Sequence, residues 1–175
     1  NIVTPKDNDV LIPIKIEGNI FRGREGVRKL LVADVDGDKS YEIISVSMGQ
    51  DDEPFLGDYN SIFSPKTMTT KLLGGEKGFF HGGASGDIDN DGDIDIIADG
   101  GESEERGKVF FVGWINDGNG NFTYNRDVVY NDTGDLGLCE TVELFDLNND
   151  GFLDILLSCW GYNKVYNLIV IFGNE

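Results

Sequence analysis

Three stretches of this 175-residue chain place oxygen-bearing side chains at alternate positions. They are Asp34-Val-Asp36-Gly-Asp38-Lys-Ser40-Tyr-Glu42, Asp87-Ile-Asp89-Asn-Asp91-Gly-Asp93-Ile-Asp95 and Asp146-Leu-Asn148-Asn-Asp150-Gly-Phe152-Leu-Asp154. The oxygens common to all three fall at positions 1, 3, 5 and 9, and a short apolar run follows each ladder. Carboxylates this close repel one another unless a hard cation stands among them. Ca²⁺ takes about six to eight oxygens, from carboxylates, amides and backbone carbonyls alike. The spacing therefore predicts a calcium-binding repeat protein with about three sites.

The same opening, Asp-x-Asp-x-Asp-Gly, begins an EF-hand loop, which also needs a bidentate Glu at position 12 and flanking helices. Position 12 here is Ser45, Ala98 or Leu157, and position 9 opens a strand at once. A β-hairpin metal loop is expected, which excludes calmodulin-like sensing and dockerin-type loops. In the first ladder Lys39 stands where Gly92 and Gly151 stand, at a place that wants a positive φ, and Glu42 replaces Asp. Gly37 takes part of that strain, and the first site is expected to be the weakest.

The elements that must hold these loops are strands. The ladders start at 34, 87 and 146, giving spacings of 53 and 59 residues, a period of blade or solenoid units. Helical signals are scarce, Gly occurs 24 times, and the apolar segments are short and rich in β-branched and aromatic residues. Strands are expected over 27–33, 80–86 and 140–145 before the ladders, and over 43–48, 96–98 and 155–160 after them. Third strands follow near 59–63, 108–115 and 164–172. Fourth strands follow near 67–73 and 122–130, the latter after the turn Asn116-Asp-Gly-Asn-Gly-Asn121. The segment His81-Gly-Gly-Ala-Ser-Gly86 is nearly devoid of side chains, as suits an innermost strand crowded by its neighbours.

The predicted fold class is all-β, with β-propeller blades of four antiparallel strands, about three blades in this chain. Residues 1–175 read as a single propeller segment. Residues 1–25 form an outer strand or closure segment around the apolar run Val10 to Ile16; 26–79 and 80–138 form two repeats, and 139–175 an incomplete third. Propellers have about four to eight blades, so two readings compete: a fragment of a longer propeller, which is favoured, or a homodimer completing a ring. An opening at Asn1 without Met points to a processed or excised chain.

Net charge is −18, from 32 acidic and 14 basic residues, a balance that repels nucleic acid and anionic lipid. Three bound Ca²⁺ would bring −18 to −12, so much of the acidity is metal-site chemistry. No apolar run approaches the roughly 18 residues of a membrane span. Cys139 and Cys159 flank the third ladder; hairpin symmetry pairs residues summing to about 300, while these sum to 298, making them diagonal neighbours. A bridge or two buried thiols are both open. The sequons at Asn121 and Asn131 matter only in a glycosylating host.

These residues resemble the FG-GAP (VCBS) repeat, the blade unit of integrin α-type propellers. Asp87 to Asp95 followed by Ile96-Ile97, and Asp146 to Asp154 followed by Ile155-Leu156-Leu157, match its pattern in full. Phe79-Phe80-His81-Gly82-Gly83-Ala84 is similar to its name-giving segments, and Trp114 to Phe122 to its third-strand turn. The resemblance covers 26–175. It implies Ca²⁺ ligands at Asp34, Asp36, Asp38, Ser40 (carbonyl) and Glu42; at Asp87, Asp89, Asp91, Asp93 (carbonyl) and Asp95; and at Asp146, Asn148, Asp150, Phe152 (carbonyl) and Asp154.

No catalytic residue is expected. His81 is the only histidine, and Asp87 beside it is committed to metal. Phe55, Tyr59, Trp114, Trp160 and Tyr162 are aromatic candidates for a ligand surface, with core packing between blades the favoured reading. The expected role is non-catalytic protein–protein interaction or adhesion; the alternative is a carbohydrate-binding module or accessory domain of a polysaccharide-active secreted enzyme. The location is expected to be extracellular, cell-surface or periplasmic, where calcium is millimolar, and the partner a protein or glycan outside the cell.

Overall fold

The computed structural model describes residues 26–49, 57–99, 111–129, 138–160 and 166–174. Eleven antiparallel strands, and no helix among the described residues, build three sheets. The first comprises β1 (Val27–Ala33), β2 (Glu42–Ser47), β3 (Ser61–Ser64) and β4 (Thr69–Leu72), paired in that order. The second repeats the meander with β5 (Gly83–Gly86), β6 (Asp95–Asp99), β7 (Phe111–Asn116) and β8 (Phe122–Asn125). The third has β9 (Leu138–Phe145), β10 (Asp154–Trp160) and β11 (Tyr166–Ile171), with β10 in the middle.

Each ladder is the loop of a β-hairpin. The residue before the ladder pairs with the ladder's last carboxylate: Ala33 with Glu42, Gly86 with Asp95 and Phe145 with Asp154. The period-2 alternation of the strands then sends alternate side chains to opposite faces, and two apolar clusters form between sheets. The first joins Leu31, Ile44 and Ile62 of the first sheet to Ile96, Val112 and Trp114 of the second. The second joins Ala84, Ile97 and Phe111 to Val142, Ile155 and Leu157 of the third.

Trp114, an aromatic candidate for a ligand surface, is 1% exposed. Its ring meets Phe80 edge-on at 5.8 Å and Tyr124 at 5.6 Å, and its Nε1 donates to the Gly74 carbonyl at 2.7 Å. Ring pairs of this kind add about 1 kcal/mol each beyond the area they bury. Tyr59 is half-buried with the Lys77 ammonium 5.3 Å above its ring. Phe55 and Tyr162 lie outside the described residues, as do the 1–25 segment and its apolar run.

The small residues of β5 have the expected cause. A Cβ on Gly83 would stand 2.8 Å from Val46 Cγ2, and one on Gly82 would stand 2.8 Å from Val142 Cγ2. The edge strand β5 and the glycine before it are thus pressed by Val46 of β2 and Val142 of β9. Lys29 of β1 reaches across to β9, donating to the Val142 carbonyl at 3.0 Å and pairing with Glu143 at 2.7 Å.

The cysteines correct the diagonal expectation. Cys139 and Cys159 are directly opposite and disulfide-bonded, because a register shift between Ser158 and Cys159 changes the pairing sum from 299 (158 with 141) to 298 (159 with 139). Both are fully buried on the face packed against the second sheet. Closing a loop across a separation of 20 residues stabilises by about 3 kcal/mol. The double Cys→Ala variant is therefore expected to melt roughly 6–12 °C lower in differential scanning calorimetry. An unchanged melting temperature would contradict that role.

Candidate metal centre

The three ladders fold by one hydrogen-bond scheme. The position-1 carboxylate accepts the N–H of position 6: Lys39 to Asp34 at 2.9 Å, Gly92 to Asp87 at 3.0 Å and Gly151 to Asp146 at 3.0 Å. The position-5 carboxylate accepts the N–H of position 7: Ser40 to Asp38, Asp93 to Asp91 and Phe152 to Asp150, at 2.8–3.0 Å. The position-9 carboxylate accepts the N–H of position 2: Val35 to Glu42, Ile88 to Asp95 and Leu147 to Asp154. Its second oxygen is held by the third strand's side of the sheet, through Ser64 Oγ on Glu42, Asn116 N–H on Asp95 and Gly173 N–H on Asp154.

This curling brings carboxylates together. Ligand oxygens of Asp34, Asp36 and Glu42 lie within 4.8 Å of one another, and so do those of Asp87, Asp89 and Asp95. Either group could hold a metal ion. Asp38 and Asp91 stand outside these two groups. The third ladder has Asn148 at position 3, whose Nδ2 donates to Asp150 Oδ2 at 2.8 Å, and it does not assemble three carboxylates.

Electrostatics favour a cation in both groups. Burial, then the charges of Asp91 and Asp87, push the Asp89 carboxyl up. Asp95 and Glu42 are raised chiefly by burial, and Asp93 by desolvation and then by Asp91, Asp117 and Asp87. A dication among these oxygens would offset both the burial of their charge, which is the main cause, and their smaller mutual repulsion. The first ladder adds a sharper sign: Asp34 Oδ1 is buried with no hydrogen-bond partner. In the other two loops the corresponding oxygen accepts the N–H of Asp91 or Asp150.

The first loop also carries two handicaps. Lys66, 28 residues downstream, pairs with Asp38 at 2.6 Å and holds its carboxyl below the usual range. Lys39 adopts φ 67°, as the glycine positions do at 99° and 91°. Gly37 does not relieve it: position 4 is left-handed in every loop, with Asn90 and Asn149 both at 60°. Lys39→Gly should raise stability by about 1 kcal/mol, read as a melting temperature about 2–4 °C higher. An unchanged or lower value would show that the loop relaxes around lysine at no cost.

Asn116 is a positioning residue that spacing alone does not reveal. Its Nδ2 donates to the Val35 carbonyl of the first ladder at 2.8 Å and to the Ile94 carbonyl of the second at 3.0 Å. Its Oδ1 accepts from Asp117 and Gly120 N–H, closing the β7–β8 turn beneath both. Asn90 Nδ2 continues the chain to the third ladder through the Gly151 carbonyl at 3.1 Å. The loops therefore form one connected edge. The only sequence signal for this was the Asn-rich turn itself.

At the other end of the second sheet sits Asp99, fully buried at the close of β6. Its Oδ1 accepts the N–H groups of His81 and Gly82 at 2.7 and 2.9 Å, while Oδ2 has no partner. Burial pushes this carboxyl up to about 7, with Glu140 adding to the effect and the two N–H groups opposing it. Asp87 accepts the N–H groups of Asp91 and Gly92 inside its ladder. Among the described residues no helix is long and apolar enough to cross a membrane. No family model matches the chain, and no curated protein matches it.

Proposed function

We propose that this chain is a calcium-binding, calcium-stabilised segment of a β-propeller of the FG-GAP (VCBS) type, each sheet being one blade. Its work is non-catalytic protein–protein interaction or adhesion outside the cytoplasm. The observation that carries the reading is the convergence of three carboxylates in each of two loops, with Asp34 Oδ1 buried and lacking any other partner. Oxygen-only ligands of this kind suit a hard cation, and hairpin loops with carboxylates, an amide and carbonyls suit calcium over the stricter octahedron of magnesium. The sheets then act as the rigid support, and the ion replaces interactions that a short loop lacks.

A closed, oxygen-rich loop offers no open coordination position for metal catalysis, which supports a binding role. The buried Cys139–Cys159 disulfide fits an oxidising compartment. The burial of Trp114 removes one of the two tryptophans as a stacking platform for sugar, which supports a protein ligand. Calorimetric titration of the metal-free chain with calcium tests the metal reading. Saturable binding of two to three ions, weakest at the first loop and reduced by one in Asp87→Ala, is expected. No saturable heat, or equal binding by Asp87→Ala, would overturn it. Glycan-array binding in calcium would transfer the role to carbohydrate.

A further inference from the structure

The buried carboxylates of the first two ladders are linked through two residues. Glu42 Oε2 accepts the Val35 N–H at 3.3 Å, the Val35 carbonyl accepts from Asn116 Nδ2 at 2.8 Å, and the Asn116 N–H donates to Asp95 Oδ1 at 2.8 Å. Glu42 and Asp95 are the buried members of the two groups that could hold a metal ion. Val35 is 2% exposed and Asn116 4%, and tight packing leaves neither residue room to turn on its own.

The turn after Asn116 presses on the same two loops. A Cβ on Gly118 would stand 2.5 Å from Asp93 Oδ2 in the second ladder, and one on Gly120 would stand 3.2 Å from Asp36 Cβ in the first. Lys71 of β4 donates to the Gly120 carbonyl and holds the turn against the first sheet. The third ladder is linked differently. Its bond from Asn90 to the Gly151 carbonyl is exposed and ends on no carboxylate of either group.

The two linked loops are unequal. The first carries Lys66 on Asp38 and Lys39 at φ 67°, where the second has Gly92. We infer that occupancy of the second ladder raises the calcium affinity of the first, with Asn116 as the positioning residue that couples them. The inference rests on the calcium reading above. Fixing Asp95 fixes the backbone of Asn116, whose amide holds Val35, whose N–H orients Glu42. The first loop is then ordered before its own ion arrives, and a site that is already ordered binds more tightly. Charge acts in the opposite sense, because an ion in one group cancels two of the negative charges that attract the next. Salt near 0.15 M screens that effect over about 8 Å, whereas the buried relay is not screened.

Nuclear magnetic resonance in a calcium titration at that salt tests this. The amides of Lys39 and Gly92, whose N–H groups sit on Asp34 and Asp87, report the two loops separately. Asp89→Ala removes a carboxylate from the second group and is expected to raise the calcium midpoint at Lys39 about five-fold or more. Asp36→Ala should move Gly92 less, since the stronger second site fills first. In Asn116→Ser, too short to reach both carbonyls, Lys39 should titrate late whether or not Asp89 is present. A merely structural role for Asn116 would shift Lys39 and leave Asp89→Ala its full effect. Lys71→Met loosens the same turn from outside the core, and should shrink the effect even if the serine variant does not fold. A Lys39 midpoint that ignores Asp89→Ala or falls with it, or an effect kept whole in both Asn116→Ser and Lys71→Met, would overturn the coupling and leave the metal reading standing. Should neither amide respond to calcium in the wild type, the metal reading falls and the coupling with it.

Discussion

Excess chelator is expected to lower the melting temperature of this protein by roughly 10–20 °C. The estimate follows from the two carboxylate groups of the first and second ladders. A ligand bound only by the folded state adds about 2.7 kcal/mol at a hundredfold excess over its Kd, and two such sites give about 5 kcal/mol. For a domain of this size each kcal/mol moves the melting temperature by about 2–4 °C. Asp87→Ala is the sharper form of the experiment, but Asp87 also accepts two N–H bonds. The variant and the wild type must therefore be compared in chelator as well, and the calcium increment taken as the difference. Protons compete with calcium for the same oxygens, and Glu42, Asp89 and Asp95 are raised. The increment should thus fade on acidification at a higher pH than ordinary carboxylates would give. A melting temperature indifferent to chelator would remove the metal assignment.

The second large effect lies at Asp99. Its carboxyl titrates at about 7 when folded, against 3.8 ordinarily, because burial disfavours the charged form. The folded state binds this proton more tightly than the unfolded chain does. The stabilisation is complete below about pH 4 and is lost as pH rises through 7. Ionising a group moved this far costs roughly 4 kcal/mol in all, of which about 1.4 kcal/mol is still to be lost above pH 6, so in saturating calcium the protein should melt about 3–6 °C lower at pH 9 than at pH 6. Asp99→Asn keeps an oxygen for the His81 and Gly82 N–H groups and carries no charge to bury. Its melting temperature should be nearly level across that range. A variant with the wild-type slope would place the alkaline loss elsewhere.

Much of this architecture was legible from residue order. The strands before and after each ladder lie within about three residues of their expected positions, because period-2 alternation and Gly/Asn turns mark both ends of a short strand. The ladders were visible because their spacing is local, and so was the positive φ at Lys39. Contacts that depend on long-range closure were not. Lys66 reaches Asp38 only because the β3–β4 turn folds beside the first loop, and Asn116 clamps two ladders that are 53 residues apart. Symmetric counting about a hairpin has no means of seeing the bulge that sets Cys139 opposite Cys159. Asp99 did leave a trace, an acid closing the apolar run Ile96-Ile97-Ala98, but its neighbours come from the turn before β5.

The disulfide across β9 and β10 has a mechanical consequence. When this chain is pulled from its ends, each hairpin can yield by peeling. The first and second sheets can surrender their full length to such a pull. The third cannot, since Cys139 and Cys159 are bonded across a separation of 20 residues, which hides about 70 Å of extensible chain. Under oxidising conditions single-molecule stretching should therefore fall short of the full contour by about that length, and the third ladder should stay folded within its closed hairpin after the other two have been pulled straight.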